Sequence, residues 1–372
     1  MNKSILRCFI NLAFVFLFFY QGSFAQLNDF KYKEVVKYHL PEGENYLIIP
    51  SDFAHEELKE ISQKVSVKLI ESVSLVYTKY CFNPAFNQQA LNEKRWENLQ
   101  EIIPQLSAQA FYVKYLIAQT GCGDTVLCKE FFHGFVIKFR QPSSVVQAEK
   151  EIEEIDRFFA KSRRASSSFD LVQRWDDKTG YYYDTIYREG EPSGKHAILR
   201  DTLLLNLLRQ MDKDNYLLVV DVTGSMAPYT AQTLKWVEQY ANSKKIALIT
   251  FFNDGDNAPS PAKRIGETGG IYFTENKDMI KILRVMRTAM RKGQGGGEDE
   301  ENDVEAILKG LEECTKCEQV ILIADNFERF RDEMLLNQIN KPVYIVVAGA
   351  DEQINPYYLQ LQEKYSNVKV LY

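Results

Sequence analysis

The 372-residue sequence predicts an α/β protein, with a C-terminal doubly wound, mostly parallel sheet and an N-terminal domain of mixed α+β type. Three observations lead there. From Asp201 onward, short aliphatic runs with no polar face alternate with amphipathic stretches of helical period. Strands that are apolar on both faces belong to parallel sheets covered by helices on each side. Before about residue 160 the elements follow no such alternation, and some strands carry one polar face.

The chain opens on a segment set apart from the fold. Lys3 and Arg7 precede the apolar run 9–20, and Ser23 and Ala25 stand at the small-residue positions before Gln26. This is the pattern of a cleaved secretory signal over residues 1–25; an uncleaved N-terminal anchor is the other reading. No later segment is long and apolar enough to span a bilayer, so a chain freed of its signal is expected to be exported, periplasmic or at the cell surface, and not integral to a membrane.

Residues 26–160 form the expected N-terminal domain. "HEELKEISQKV" sets Leu58, Ile61 and Val65 at helical spacing, and "VKLIESVSLVYTKY" has the β-branched and aromatic content of strands. "RWENLQEII" places Trp96, Leu99 and Ile103 on one helical face, ended by Pro104. "HGFVIKFR" alternates, with Phe135, Ile137 and Phe139 on one face. "VQAEKEIEEIDRFFAK" is an amphipathic helix with Ile152, Ile155 and Phe159 turned inward. Residues 161–200, basic and then tyrosine-rich with turn signals, read as a connector containing a hairpin.

Residues 201–372 form the expected C-terminal domain. Its strands are "YLLVV", "KIALITFF", a short edge strand in "GGIYF", "QVILIAD", "PVYIVVAG" and "VKVLY". Its helices are "TAQTLKWVEQYAN" with Pro228 near its start, "KDMIKILRVMRTAMRK", "NDVEAILKGLEEC" and "NPYYLQLQEKY". Ligands of such sheets bind beyond the C-terminal ends of the strands, which directs the search for function there.

Composition excludes several classes. Removing Lys3 and Arg7 from 45 basic residues leaves 43 against 51 acidic ones, a net charge of −8, so nucleic acid is not an expected partner. The chain has no GxxxxGK[ST] loop, no GxSxG elbow and no HExxH, and its four histidines, His39, His55, His133 and His196, share no ligand spacing. His133 is expected as a satisfied core or strand-end residue. Beyond the signal lie Cys81, Cys122, Cys128, Cys314 and Cys317. Cys122 with Cys128, and Cys314 with Cys317, are expected as structural disulfides or buried thiols, since "CTKC" follows a helix where a redox pair would open one.

Three segments stand where strands stop. The first C-terminal strand ends in "DVTGSM", with Asp221, Thr223 and Ser225. A later strand ends in "LIADN", with Asp325. The glycine run "GQGGGEDEEND" brings Glu298 to the start of a helix. Hard divalent cations take oxygen ligands, and these segments supply carboxylates and hydroxyls from three distant parts of the chain. A hydroxyl or a strand-end Asp can also simply cap the following helix. Apart from Glu298, the acids between 298 and 305 are expected on a solvated helix start. The loop "NDGDN" lacks the spacing of a calcium loop and reads as a polar turn.

The three elements in this order resemble the metal-ion-dependent adhesion site of von Willebrand factor type A (vWA) domains, whose signature is Asp-x-Ser/Thr-x-Ser; "GGGEDEENDVEAI" is similar to the second loop of many bacterial members. The resemblance covers roughly residues 215–372. It implies a vWA, Rossmann-like sheet and one Mg²⁺ (or Mn²⁺ or Ca²⁺) at Asp221, Thr223 and Ser225, with Glu298 and Asp325 in direct or water-mediated support. Glu298 stands where adhesion-type members have Thr, so neighbouring Asp299 is an alternative ligand. The implied function is cation-dependent binding of a protein or glycan, through a partner carboxylate in the adhesion-type mechanism, with no catalysis. Two other readings remain open at this point. "DVTGS" is close to the "DKTGT" of haloacid-dehalogenase-like phosphohydrolases, in which the Asp is the nucleophile, although the Lys is absent here. A structural envelope protein with a vestigial site is the third.

Overall fold

A computed structural model describes residues 27–59, 69–80, 85–140, 144–164, 169–176, 180–187, 203–293 and 300–372. The expected signal segment, the remainder of the helix expected after Lys59, and Cys81 lie outside the described residues. The chain divides into two compact units, Met1–Arg140 and Gln141–Tyr372.

The first unit carries β1 (Lys31–Val35), β2 (Tyr46–Pro50), β3 (Ile70–Thr78), α1 (Gln88–Ile102), α2 (Gln105–Ala108), β4 (Val113–Gln119), α3 (Thr125–Lys129) and β5 (Gly134–Phe139). Its five-stranded sheet has the order β1-β4-β3-β5-β2. β4 pairs in parallel with β1 and β3, whereas β5 is antiparallel to β3 and β2. Val73, Leu75, Phe135 and Ile137 pack with Trp96 and Leu99 of α1, as the sequence spacing required. The segment His55–Lys59 is not helical; Leu58 instead bridges Ser51. The reason is Arg95 of α1, fully buried, whose guanidinium donates to the carbonyls of Asp52 (2.5 Å) and His55 (2.9 Å) and holds that loop extended. A disulfide joins Cys122 to Cys128 around α3.

The second unit opens with α4 (Val145–Arg164), which buries Ile152, Ile155 and Phe159. It packs on later helices of this unit, and Arg287 donates to Asp156 at 2.8 Å. A two-stranded antiparallel ribbon, β6 (Phe169–Asp176) with β7 (Gly180–Tyr187), follows. Then come α5 (Leu203–Arg209), β8 (Tyr216–Asp221), α6 (Ala227–Gln239), β9 (Ile246–Phe252), β10 (Ile271–Thr274) and α7 (Met279–Gly293). The chain closes with β11 (Glu300–Glu301), α8 (Asp303–Glu313), β12 (Gln319–Asp325), β13 (Arg329–Phe330), β14 (Val343–Ala348), α9 (Pro356–Lys364) and β15 (Val368–Leu371).

The main sheet has the order β10-β9-β8-β12-β14-β15, parallel except for β10 at one edge. Alternate residues feed two cores. Leu218 and Val220 pack with Leu234, Trp236 and Met286, while Leu217 and Val219 pack with Ile307, Tyr358 and Leu361 on the other face. That explains why the strands read as uninterrupted aliphatic runs. Gly310 lets α8 lie close to the sheet, since a Cβ there would sit 2.8 Å from a Leu217 methyl and 2.9 Å from Thr250 Oγ1. A second disulfide joins Cys314 to Cys317 between α8 and β12.

His133 sits 4% exposed beside Thr78, with Nε2 3.2 Å from the Thr78 hydroxyl. Burial, and then the charge of Arg95, push its pKa from 6.5 down to about 4. The folded form therefore refuses a proton that the unfolded form takes up. The resulting stability is present above pH ~6.5 and is lost as pH falls toward ~4, up to about 3 kcal/mol. An NMR titration of the His133 ring should show it neutral at pH 5.5, and a midpoint above 6 would contradict the burial argument.

Candidate metal centre

β8 and β12 are hydrogen-bonded neighbours, and both end in an aspartate. From β8 the chain passes through α6 to β9 on one side, whereas β12 lies on the other side, so connections diverge between these two strand ends. Such a divergence opens a crevice beyond the strands.

Asp221 is 1% exposed. The backbone N–H and the hydroxyl of Thr223 donate to its Oδ1 at 2.7 and 2.6 Å. Those two bonds aim the carboxylate, and its Oδ2 is buried with no hydrogen-bond partner among the described residues. Asp325 is also buried; its Oδ1 accepts from the Phe327 N–H at 3.0 Å, and its carbonyl accepts from the Tyr358 hydroxyl at 2.6 Å. The next residue, Asn326, is a hub. Its Nδ2 donates to the carbonyls of Gly349 (3.2 Å) and Gln353 (2.7 Å), and its Oδ1 accepts from the Asn355 N–H (2.8 Å).

Two further carboxylates converge on Asp221. Glu301 lies on β11, paired in parallel with β13, and Glu328 lies just before β13. One oxygen from each of Asp221, Glu301 and Glu328 lies within 4.8 Å of the others. Ligand oxygens at about 2.1–2.5 Å from one ion can stand at most about 4–5 Å apart, so the three match a single cation's shell. Burial, and then the charge of Glu328, raise the Asp221 carboxyl well above its ordinary range, against the Thr223 hydrogen bonds that lower it. Burial followed by the charges of Asp221 and Glu328 does the same to Glu301. Asp303 is raised well above the ordinary range by burial and then by Asp221. All three shifts run toward the protonated form, and a nearby positive charge would oppose them.

Of the residues singled out in the sequence, the structure brings Asp221, Thr223 and Asp325 to the ends of adjacent strands. Glu298, Asp299 and the side chain of Ser225 lie outside the described residues. The expectation of a solvated acidic run is corrected: Glu301, Asp303 and Glu305 are 1%, 3% and 3% exposed, and Glu300 alone of the four is exposed. Nor does the run supply its own helix cap. Asp332 reaches in from beyond β13 and accepts from the N–H groups of Val304 (3.2 Å) and Glu305 (2.6 Å) at the start of α8, while burial raises its pKa to about 6. Glu305 turns away to accept from the N–H groups of Thr268 (2.8 Å) and Gly269 (3.1 Å). Glu328 was not singled out in the sequence; its one signal is an acid between Phe327 and Phe330, three residues past the strand-end Asp325.

The buried acid of the "NDGDN" turn has its partners within the fold. Asp254, 1% exposed, receives both arms of Arg331 (2.7 and 3.1 Å) and the Lys263 ammonium (2.5 Å). Arg331 also donates through its N–H to the Glu301 carbonyl at 2.8 Å and through its guanidinium to the Glu300 carbonyl, so it fixes the strand that carries Glu301. Arg331→Met should lower stability by about 3 kcal/mol or more, because it strips a buried carboxylate of one cation. Urea unfolding measures this, and a loss under 1 kcal/mol would show that the pair is not a structural anchor. No family model, curated protein or solved structure matches the chain, so the chemistry of this centre is read from its own geometry.

Proposed function

We propose that the second unit is a vWA-type module that holds one divalent cation, Mg²⁺, Mn²⁺ or Ca²⁺, at the ends of β8 and β12. The ion serves to bind a protein or glycan partner of an exported protein, without turnover. The observation that carries this reading is the Asp221 carboxylate, fully buried and oriented by Thr223, whose second oxygen meets no donor. A buried carboxylate stays charged only where it is paired or coordinates a metal.

The parallel strand order and the divergence between β8 and β12 support the vWA assignment. Asp221 is the anchoring ligand. Thr223 Oγ1, whose proton is committed to Asp221, keeps lone pairs for the ion. Asp325, at the neighbouring strand end, is suited to hold a coordinating water. Ser225 and Glu298 complete the set that the sequence pattern implies. A bound ion supplies Lewis-acid attraction for an oxygen of the partner, and the module's contribution is to keep a coordination position facing outward.

Thermal unfolding in EDTA and in excess Mg²⁺, Mn²⁺ or Ca²⁺ tests the reading. Cation at 100 times its Kd adds about 2.7 kcal/mol to the native state, which raises Tm by several degrees for a chain of this size. Asp221→Ala should abolish the rise. A wild-type Tm indifferent to all three ions removes the proposal, and phosphatase turnover lost in Asp221→Asn favours the phosphohydrolase reading instead.

A further inference from the structure

Among the buried acids around α8 and the β11–β13 ribbon, five show a contrast. Asp254 is met by Arg331 and Lys263, Glu305 by two backbone N–H groups, and Asp332 by the first N–H groups of α8. For these three the fold supplies donors to a carboxylate that stays inside. Glu301 and Asp221 differ. Glu301 is 1% exposed, and no N–H or hydroxyl donor among the described residues reaches its oxygens, which lie beside the Glu328 carboxyl; Asp221 Oδ2 likewise meets no donor. These donorless atoms belong to the two residues that meet Glu328 within one cation's shell.

We infer that Glu301 and Glu328 are direct cation ligands supplied by the chain itself, so that the ion ties the β11–β13 ribbon to the end of β8. This rests on the cation reading above and adds to it ligands that the sequence pattern does not contain. The two glutamates are held in place independently of any ion. The ladder between Glu300–Glu301 and Arg329–Phe330 fixes the ribbon, and Arg331 locks it to the Asp254 turn. Three carboxylates exceed the charge of a divalent ion by one. The ion is thus neutralised by its own chain, and the position left for a partner attracts a neutral oxygen, such as a glycan hydroxyl or a peptide carbonyl, more than an acid.

Calorimetric titration of the EDTA-stripped, desalted full chain with MnCl₂ or CaCl₂ tests the assignment against Glu301→Gln, Glu328→Gln and Glu300→Gln. Glu300 is the exposed neighbour on the same two-residue strand and controls for a change in the local field. The expected result is wild-type uptake of one ion, affinity at least tenfold weaker in Glu301→Gln and in Glu328→Gln, and affinity within twofold of wild type in Glu300→Gln. Tm in EDTA separates lost ligation from lost folding. It should be equal to or above wild type in Glu301→Gln, because that substitution replaces an acid whose oxygens meet no donor in the apo protein, and Glu328→Gln should keep a cooperative transition. Wild-type uptake with unchanged affinity in Glu301→Gln and Glu328→Gln overturns this inference and leaves the cation reading standing. Equal weakening in Glu300→Gln also overturns it, since a diffuse field and not ligation would then be at work. No uptake by the wild type removes both.

Discussion

A carboxylate inside a protein must face a positive charge, a set of donors, or a proton. The second unit is arranged around that constraint. Its parallel sheet delivers Asp221 and Asp325 to adjacent strand ends, and the chain then returns twice to the same place with the β11–β13 ribbon. Most of the buried acids that result are matched by arginine, lysine or backbone N–H groups. The pair with donorless oxygens, Asp221 and Glu301, is left to a proton or to the cation proposed above, and the oxygens of Asp221, Glu301 and Glu328 lie close enough together for one hard cation.

The neighbouring Asp254 shows what the fold does when the counter-charge is its own. There a bidentate guanidinium and an ammonium enclose the acid completely. The arrangement is rigid because Arg331 spends its remaining donors on the carbonyls of Glu300 and Glu301. One ion pair thus stabilises the turn after β9 and, through the ribbon, sets the position of a glutamate that faces the acidic centre. On the cation reading proposed above, a permanent counter-charge would stand beside an exchangeable one and position its ligands.

Much of the second unit was legible in the sequence. Aliphatic runs such as "YLLVV" and "QVILIAD" have no polar face because both faces of the sheet are covered, and the strand-end acids followed directly. The two-residue strands β11 and β13 were not legible, since "EE" and "RF" carry no periodicity. Glu301 was misread for a related reason: a dense acidic run at a helix start has the composition of a solvated face, and nothing local reveals that tertiary structure closes over it. Asp332 and Glu328 act on partners about 25 residues or more away, which single-sequence spacing does not show. In the first unit, "HEELKE" carried a helical pattern that the long-range claim of Arg95 on the loop carbonyls overrode. The amphipathic pattern of α4 revealed its buried face but not the unit against which that face packs.

Asn326 gives the centre a reach beyond its ligands. Because its amide clasps Gly349, Gln353 and Asn355 at once, the floor of the crevice and the surface turn leading into α9 are effectively one piece. Asp325 cannot shift without dragging that turn, and the turn cannot be remodelled without disturbing Asp325. Substitutions at residues 349–355, none of them an acid of the cluster, would therefore reach Asp325 through Asn326, and with it the cation site proposed above.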